Sequence, residues 1–253
     1  MADNAEPAVS GAAEPPFRLA VPVDPAVMAS VYGRLGRVLM PGMFDPETAR
    51  ALYKCLTEEI PWQLHFNGSE GVYDLTERQL AELDAEARAK LMAAVHTGAR
   101  GGFQFLYRNY PLSDEYAAGR GREYIVARAF EFLSSPTFLD FARKVTGVAA
   151  IDTIDAQATC YGPGHFLTQH DDLAENKNRV AAYVIGMTPV WRTDWGGLLN
   201  FIARGGHVAE AYAPTFNTLT IFRVPQAHSV SLVAPFAGYG RYSISGWLRT
   251  GQG

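Results

Sequence analysis

Apolar residues recur with two different periods along the chain, helical in the first half and strand-like in the second. Up to Gly147, helical spacing predicts helices near residues 45–56, 76–95, 123–133 and 136–145, and alternation predicts strands at 37–40, 62–66 and 103–110. Beyond Gly147, short apolar or alternating runs between turn residues predict strands at 153–160, 166–171, 180–187, 197–201, 218–224, 229–233 and 241–248. Strands joined without intervening helices favour a β-sandwich or jelly roll, with the earlier helices packed on one face.

The same patterns predict one domain behind a disordered tail. Residues 1–16 are rich in Ala, Pro, Glu and Gly and show no periodicity, which is typical of a disordered segment. Residues 17–253 are expected to form a single domain, helix-rich over 17–148 and strand-rich over 149–250. A length of 253 residues suits one such domain.

Composition and charge narrow the classes of protein to consider. An apolar content of 48% with 19% charged residues indicates a soluble protein with a core, and a net charge of −4 without a long basic run argues against nucleic-acid binding. The chain begins without a basic segment or apolar run, so we expect no secretory signal. No window approaches the ~20 apolar residues of a membrane span. Cys55 and Cys160 lack metal-type spacing, so free thiols in a reducing, cytoplasmic compartment are expected.

A histidine and a carboxylate near the middle of the chain suggest a metal site. On a strand His170 and Asp172 share one face while Asp171 points to the other. His228, at the start of a later predicted strand, is the best third ligand. Two imidazoles and one carboxylate form the facial triad that leaves positions open on an iron ion. A structural zinc site would be closed, commonly by cysteines, and neither cysteine is placed to help.

The last predicted strand contributes an arginine to the interior in which the metal site is predicted. Alternation places Arg241, Ser243, Ser245 and Trp247 on one face. An arginine inside a barrel needs an anionic partner, because an unpaired buried charge is costly. A guanidinium binds a carboxylate bidentately. A dicarboxylic co-substrate that chelates the metal at one end and meets Arg241 at the other accounts for both features.

These motifs, in this order, resemble a known family. The chain contains His170-x-Asp172, then His228, then Arg241-Tyr-Ser-Ile-Ser-Gly-Trp247, with Tyr161 placed nine residues before His170. Asp194-Trp-Gly-Gly197 lies between the first ligands and His228. Over about residues 30 to 250 the sequence resembles the 2-oxoglutarate- and Fe(II)-dependent oxygenases, in their prolyl 4-hydroxylase-like branch. It is similar to the ribosomal-protein prolyl hydroxylases in a single-domain form.

The resemblance implies an α+β fold with a double-stranded β-helix (jelly-roll) core. It implies His170, Asp172 and His228 as ligands of Fe(II), and Arg241 as the partner of the distal carboxylate of 2-oxoglutarate. It further implies O₂ as co-substrate, succinate as product and ascorbate as reductant. The residues that would hold 2-oxoglutarate are Tyr161, Tyr183, Arg241 and Ser243.

Several alternatives stay open at this point. The leading hypothesis is hydroxylation of a prolyl residue in a peptide or protein; a free amino acid or another small molecule is the second. A non-catalytic jelly-roll sensor would not need both the triad and Arg241, and a zinc hydrolase would leave Arg241 without a role. His165 is a rival metal ligand on the opposite alternation, and Tyr161 is equally explained as a core aromatic residue.

Overall fold

Strand pairing in the computed structural model, which describes residues 17–22 and 24–251, is antiparallel throughout. The helices are α1 (Pro25–Leu35), α2 (Pro46–Glu58), α3 (Glu77–Glu82), α4 (Ala85–Gly101), α5 (Leu112–Ala117), α6 (Ile125–Leu133) and α7 (Pro136–Thr146). The strands of the first half are β1 (Arg37–Pro41), β2 (Gln63–Gly68), β3 (Gly71–Thr76) and β4 (Phe105–Tyr110). Those of the second half are β5 (Ile151–Tyr161), β6 (Phe166–His170), β7 (Arg179–Met187), β8 (Leu199–Ile202), β9 (Val208–Tyr212), β10 (Phe216–Arg223), β11 (His228–Val230) and β12 (Arg241–Thr250).

The order of the strands defines a jelly roll. One set runs β1-β10-β7-β12-β5 and the other runs β6-β11-β8-β9, and β4 joins them. The first half of β4 pairs with β6 and its second half with β5. The hairpin β2–β3 extends the sheet beyond β4. Strands β5 to β12 therefore form the double-stranded β-helix core that the sequence predicts, and that prediction is confirmed.

The helices cover one side of the larger set of strands, as expected. Fully buried residues of α2 and α7, such as Leu52 and Phe138, belong to the same apolar cluster as Ile185 of β7 and Ile244 of β12. Burying each of these side chains contributes roughly 1.5–3 kcal/mol. The opposite side of the same strands faces the second set, where Phe201 of β8 and Phe222 of β10 pack together. The interior between the two sets holds the candidate site.

The helix expected over residues 76–95 is instead two helices. Thr76 and Gln79 form a capping box that begins α3. Asp84 then begins α4 by accepting a hydrogen bond from the backbone N–H of Ala87 at 2.7 Å. Two caps eight residues apart divide the segment, although its apolar pattern is continuous.

Strands β3 and β9 escape prediction because they are edge strands. Their side chains are mostly exposed, so neither shows the alternation of apolar and polar residues that marks a half-buried strand. The predicted tail, residues 1–16, lies outside the described residues, and the domain limits stay a prediction. No helix among the described residues has the length and apolar character needed to cross a membrane.

Candidate active site

His170, Asp172 and His228 lie together between the two sets of strands. Nε2 of His170 is 3.5 Å from one carboxylate oxygen of Asp172, and Nε2 of His228 is 3.4 Å from the other. The imidazole ring centroids are 4.0 Å apart. All three potential ligand atoms lie within 4.8 Å of one another. Three donors at this separation can share one metal ion.

The local backbone explains how each ligand reaches the site. His170 ends β6 and His228 begins β11, and the two residues are direct partners across the sheet. Asp172 lies beyond the end of β6, with φ of 65°. Strand alternation was therefore the wrong reason for placing Asp172 beside His170. A left-handed turn, which Asp tolerates better than most residues, brings its carboxylate to the two imidazoles.

Hydrogen bonds fix the tautomers of both histidines. Nδ1–H of His170 donates to the carbonyl of Thr168 at 2.9 Å, and Nδ1–H of His228 donates to the carbonyl of Gln226 at 2.7 Å. Both Nε2 lone pairs are thus free for a metal. Burial lowers the pKa of His228 to about 4, so its ring is neutral at neutral pH. Although burial opposes its ionisation, the neighbouring imidazoles of His170 and His228 lower the pKa of Asp172 from its usual value. This donor set fits Fe(II).

A small pocket lined by apolar and polar side chains extends from the triad toward Arg241. Its volume is about 80 Å³. Arg241 is 6% exposed, its guanidinium carbon lies 4.9 Å from the ring centroid of Tyr161, and burial lowers its pKa. Among the described residues no carboxylate lies within ion-pair distance of Arg241. The hydroxyls of Thr159 and Ser243, 2.7 Å apart, line the same pocket. A buried cation without a partner beside a metal site suits an anionic ligand.

Tyr183 borders this pocket, but its ring packs on the helix side of β7. Its ring lies 6.1 Å from that of Phe138 of α7, in the apolar cluster between strands and helices, and its hydroxyl donates to the carbonyl of Asp155 at 2.9 Å. Across the sheet its partner is Gly246, whose neighbours Ser245 and Trp247 line the pocket from the other side. The expected contact between Tyr183 and 2-oxoglutarate stays a prediction, since the residue borders the pocket while its hydroxyl is hydrogen-bonded to Asp155.

His165 lies apart from the three ligands. Its Nδ1 accepts a hydrogen bond from the backbone N–H of Gly162 at 3.1 Å, within the turn that precedes β6. Burial lowers its pKa to about 4. Asp171, the neighbour of Asp172, accepts a hydrogen bond from the backbone N–H of Leu173 at 3.0 Å. Both residues have local structural roles.

A second, larger cavity opens on the other side of the triad. Its volume is about 440 Å³, and His65, Phe103 and Leu173 line it. Arg179 also lines it: its guanidinium stacks 3.5 Å above the ring centroid of Trp247 and donates to the carbonyl of Asp172 at 3.2 Å. The residues common to both cavities are Tyr107, Gln157, Leu167, His170, Asp172 and Trp247. The metal ligands thus separate a small inner pocket from a wide outer cavity.

Sequence reasoning missed the part of the outer wall that comes from the first half of the chain. The aromatic strand β4 was predicted from the sequence, but the residues of β2 and β6 that lie beside it depend on the register of strand pairing. His65 lies on β2 and pairs with Tyr107 of β4. The imidazole of His65 stacks 4.7 Å from Phe105.

Comparison with known proteins finds one family model that matches part of the chain and several structures of similar fold. Residues 156–249 match the family model described as the 2OG-Fe(II) oxygenase superfamily. A prolyl-4-hydroxylase from Pseudomonas putida has 15% sequence identity, a TM-score of 0.56 and coverage of 90% of this chain and 99% of its own. A prolyl hydroxylase from Trichoplax adhaerens, in complex with a peptide fragment of hypoxia inducible factor, has 14% identity, a TM-score of 0.56 and coverage of 89% of both chains.

A third similar structure has a different activity. The non-heme alpha ketoglutarate dependent epimerase SnoN from nogalamycin biosynthesis has 12% identity, a TM-score of 0.52 and coverage of 90% of this chain and 82% of its own. A search of curated proteins finds no match to this sequence. The chain therefore has the jelly-roll fold of these structures and a His-His-Asp group that could hold a metal ion. The segment that matches the model of the 2OG-Fe(II) oxygenase superfamily contains His170, Asp172, His228 and Arg241.

Proposed function

We propose that this oxygenase hydroxylates a prolyl residue in a peptide or protein while 2-oxoglutarate is decarboxylated to succinate, with ascorbate as reductant. The observation that carries the proposal is the position of the triad between two cavities of different size, of which the smaller contains the buried Arg241. The inner pocket suits the co-substrate, and the outer cavity suits the group to be oxidised. Bound by His170, Asp172 and His228, Fe(II) would supply the activation of O₂ in concert with 2-oxoglutarate.

The inner pocket would select a dicarboxylate through the residues at its end opposite the metal ligands. Arg241 and Tyr161 pair directly across the sheet, as do Ser243 and Thr159. Arg241 would receive the distal carboxylate of 2-oxoglutarate, and the adjacent hydroxyls would add hydrogen bonds. Because Thr159, Arg241 and Ser243 are buried, this end of the pocket lies away from bulk water.

The outer cavity favours a substrate with apolar surface. Phe103 is 50% exposed and Leu173 is 66% exposed, and both lie at its rim. The ring of Phe103 is 5.4 Å from that of His170, so this apolar rim begins beside the metal ligands. A pyrrolidine ring carried by an extended polypeptide would pack against such a rim. The peptide complex of the Trichoplax adhaerens enzyme is in keeping with a substrate of this kind.

A small molecule is the alternative substrate. A cavity of about 440 Å³ is large enough for one, and SnoN, of similar fold, acts in nogalamycin biosynthesis. The open apolar rim distinguishes the two possibilities, because a small ligand is usually enclosed on most of its surface.

The test compares wild-type cells with cells that lack the gene. Purified protein with Fe(II), ascorbate and 2-oxoglutarate should form succinate slowly without substrate, which establishes the co-substrate. Mass spectrometry of peptides from the two cell types should then reveal a prolyl residue that gains one oxygen atom only in the wild type. If oxygen is gained only by small molecules, the prolyl substrate is wrong and the second candidate replaces it.

A further inference from the structure

A histidine outside the metal site is held in place at the wall of the outer cavity. Strand β2 places His65 directly between Asp74 of β3 and Tyr107 of β4. Residues directly opposite on neighbouring antiparallel strands lie on the same face of a sheet. The three side chains therefore form one row that runs from the edge of the hairpin toward Tyr161, on which Tyr107 stacks at 4.9 Å.

The imidazole of His65 is oriented on two sides. Nδ1–H of His65 donates to a carboxylate oxygen of Asp74 at 2.7 Å. The ring stacks on Phe105 at 4.7 Å with an interplanar angle of 25°, and meets Tyr107 edge to face at 5.1 Å. A ring fixed this way before a ligand arrives loses little conformational entropy when it makes one more contact.

The second ring nitrogen is left for such a contact. Nε2 of His65 makes no hydrogen bond to any residue that the structure describes. The side chain is only 16% exposed, and it lines the outer cavity together with His170 and Asp172. With the ring proton on Nδ1, Nε2 carries a lone pair and accepts hydrogen bonds. Its partner must be a donor, because a confined acceptor that faces an apolar group would be left unsatisfied.

We propose that His65 binds the substrate of this enzyme by accepting a hydrogen bond at Nε2, and that Asp74 positions its ring. The proposal rests on the proposed function in that it names a feature of the same substrate: an N–H or O–H donor beside the carbon that is oxidised. In a polypeptide this donor is the amide N–H of a residue next to the target proline, since the prolyl nitrogen itself carries no hydrogen.

The alternative is that the contact between His65 and Asp74 only stabilises the β2–β3 hairpin. Four variants distinguish substrate binding from this structural role. His65→Phe keeps the aromatic stack and removes both nitrogens, and Asp74→Leu removes the acceptor that orients the ring. Asp74→Asn keeps an oxygen that can accept from Nδ1–H. His96→Phe is the matched control, since His96 is exposed on α4 and lines neither the inner pocket nor the outer cavity.

The probes are two fractions of a lysate from cells that lack the gene, one of proteolytic peptides and one of small molecules. Isotopically labelled O₂ reports incorporation, and succinate formed without either fraction reports an intact metal and co-substrate site. We expect His65→Phe and Asp74→Leu to lower kcat/KM for the oxidised substrate by about tenfold or more, mainly through KM. Succinate formed without substrate checks each variant for an intact metal and co-substrate site, and Asp74→Asn and His96→Phe should resemble the wild type.

Each outcome decides one or both proposals. Labelled prolyl peptides whose yield falls in His65→Phe support both, and a labelled small molecule with the same fall overturns the prolyl substrate but supports the role of His65. An unchanged kcat/KM in His65→Phe overturns the role of His65 and leaves the prolyl proposal standing. An unchanged KM in Asp74→Leu overturns the positioning role of Asp74. Wild-type protein that forms succinate yet labels neither fraction overturns both.

Discussion

Asp172 supplies the only carboxylate of the metal-ligand group, so the site depends on it more than on its charged neighbour Asp171. We predict that Asp172→Ala abolishes metal binding and lowers succinate formation to background, because two imidazoles alone hold Fe(II) poorly. Calorimetric titration with Fe(II) under anaerobic conditions measures the first effect, and a succinate assay measures the second.

Asp171→Ala is the matched control for that variant. Its carboxylate accepts from the backbone of Leu173 and does not reach the imidazoles, so the variant should bind Fe(II) as the wild type does. Equal loss of metal in both variants would show that the loop after β6, rather than the carboxylate of Asp172, is what matters.

Arg241 presents a different energetic problem, since it is buried without an anion. We predict that Arg241→Met raises the KM for 2-oxoglutarate by about a hundredfold, which corresponds to roughly 2.7 kcal/mol for a lost charge-assisted pair. In the absence of 2-oxoglutarate the variant should be no less stable than the wild type, because an unpaired buried cation is itself unfavourable. Urea unfolding checks the second part. A variant with unchanged KM would mean that Arg241 does not meet the co-substrate.

The two cysteines are predicted to be inert thiols. Burial raises the pKa of Cys55 to about 12 and that of Cys160 to about 11. The reactive thiolate is therefore scarcer in the folded protein than in the unfolded chain at any pH below these values. At pH 8 iodoacetamide should leave both residues unmodified in the native protein and label both after denaturation. Rapid labelling of either one in the native state would contradict this.

At the scale of the strand, β12 requires glycine at one position. A Cβ on Gly246 would overlap the carbonyl oxygen of Asp155 on β5 and lie 2.9 Å from the hydroxyl of Tyr183. We predict that Gly246→Ala lowers the free energy of unfolding by more than about 3 kcal/mol, because the central strand cannot shift without breaking its pairing on both sides.

Gly33→Ala is the corresponding control within a helix. A Cβ at Gly33 of α1 would have no heavy atom within 4 Å, so the substitution should raise the free energy of unfolding by about 0.5–1 kcal/mol. Chemical denaturation of both variants gives the comparison. Loss of stability in Gly33→Ala would show that α1 is held by more than its described contacts.

The local sequence pattern predicts where the strands of this chain lie better than it predicts which side of the sheet each side chain occupies. Spacing and alternation gave the jelly-roll strands, and motif order gave His170, His228 and Arg241. Neither could show that Tyr183 pairs with Gly246 and packs its ring against Phe138 of α7, since this depends on the register between β7 and β12. Nor could they reveal the turn at Asp172, whose φ of 65° lies outside any strand pattern.

The same limit explains why His65 was not predicted as a site residue. It lies more than a hundred residues before the metal ligands, and its carboxylate partner Asp74 is on an edge strand without a recognisable pattern. Only the pairing of β2 with β3 and β4 brings these side chains to the outer cavity. Long-range register is a property of the folded sheet that a local window of sequence does not contain.

For the whole molecule, we expect the thermal stabilisation by 2-oxoglutarate to depend on prior binding of the metal. Ligands that bind only the folded state stabilise it by about 2.7 kcal/mol at a hundred times their dissociation constant, or roughly 5–10 °C in Tm for a chain of this size. Mn(II), used in place of Fe(II) to prevent turnover, should raise Tm by itself. We predict that 2-oxoglutarate raises Tm much further with Mn(II) present than without it, because the metal and Arg241 hold opposite ends of one molecule.

The variants make this thermal prediction specific. Arg241→Met should keep the shift caused by Mn(II) and lose the added shift caused by 2-oxoglutarate, whereas Asp172→Ala should lose both. Succinate, which retains two carboxylates but lacks the 2-oxo group, should give a smaller shift than 2-oxoglutarate in the wild type. If 2-oxoglutarate stabilises the wild type equally with and without metal, it binds somewhere other than between the triad and Arg241, and the assignment of the inner pocket is wrong.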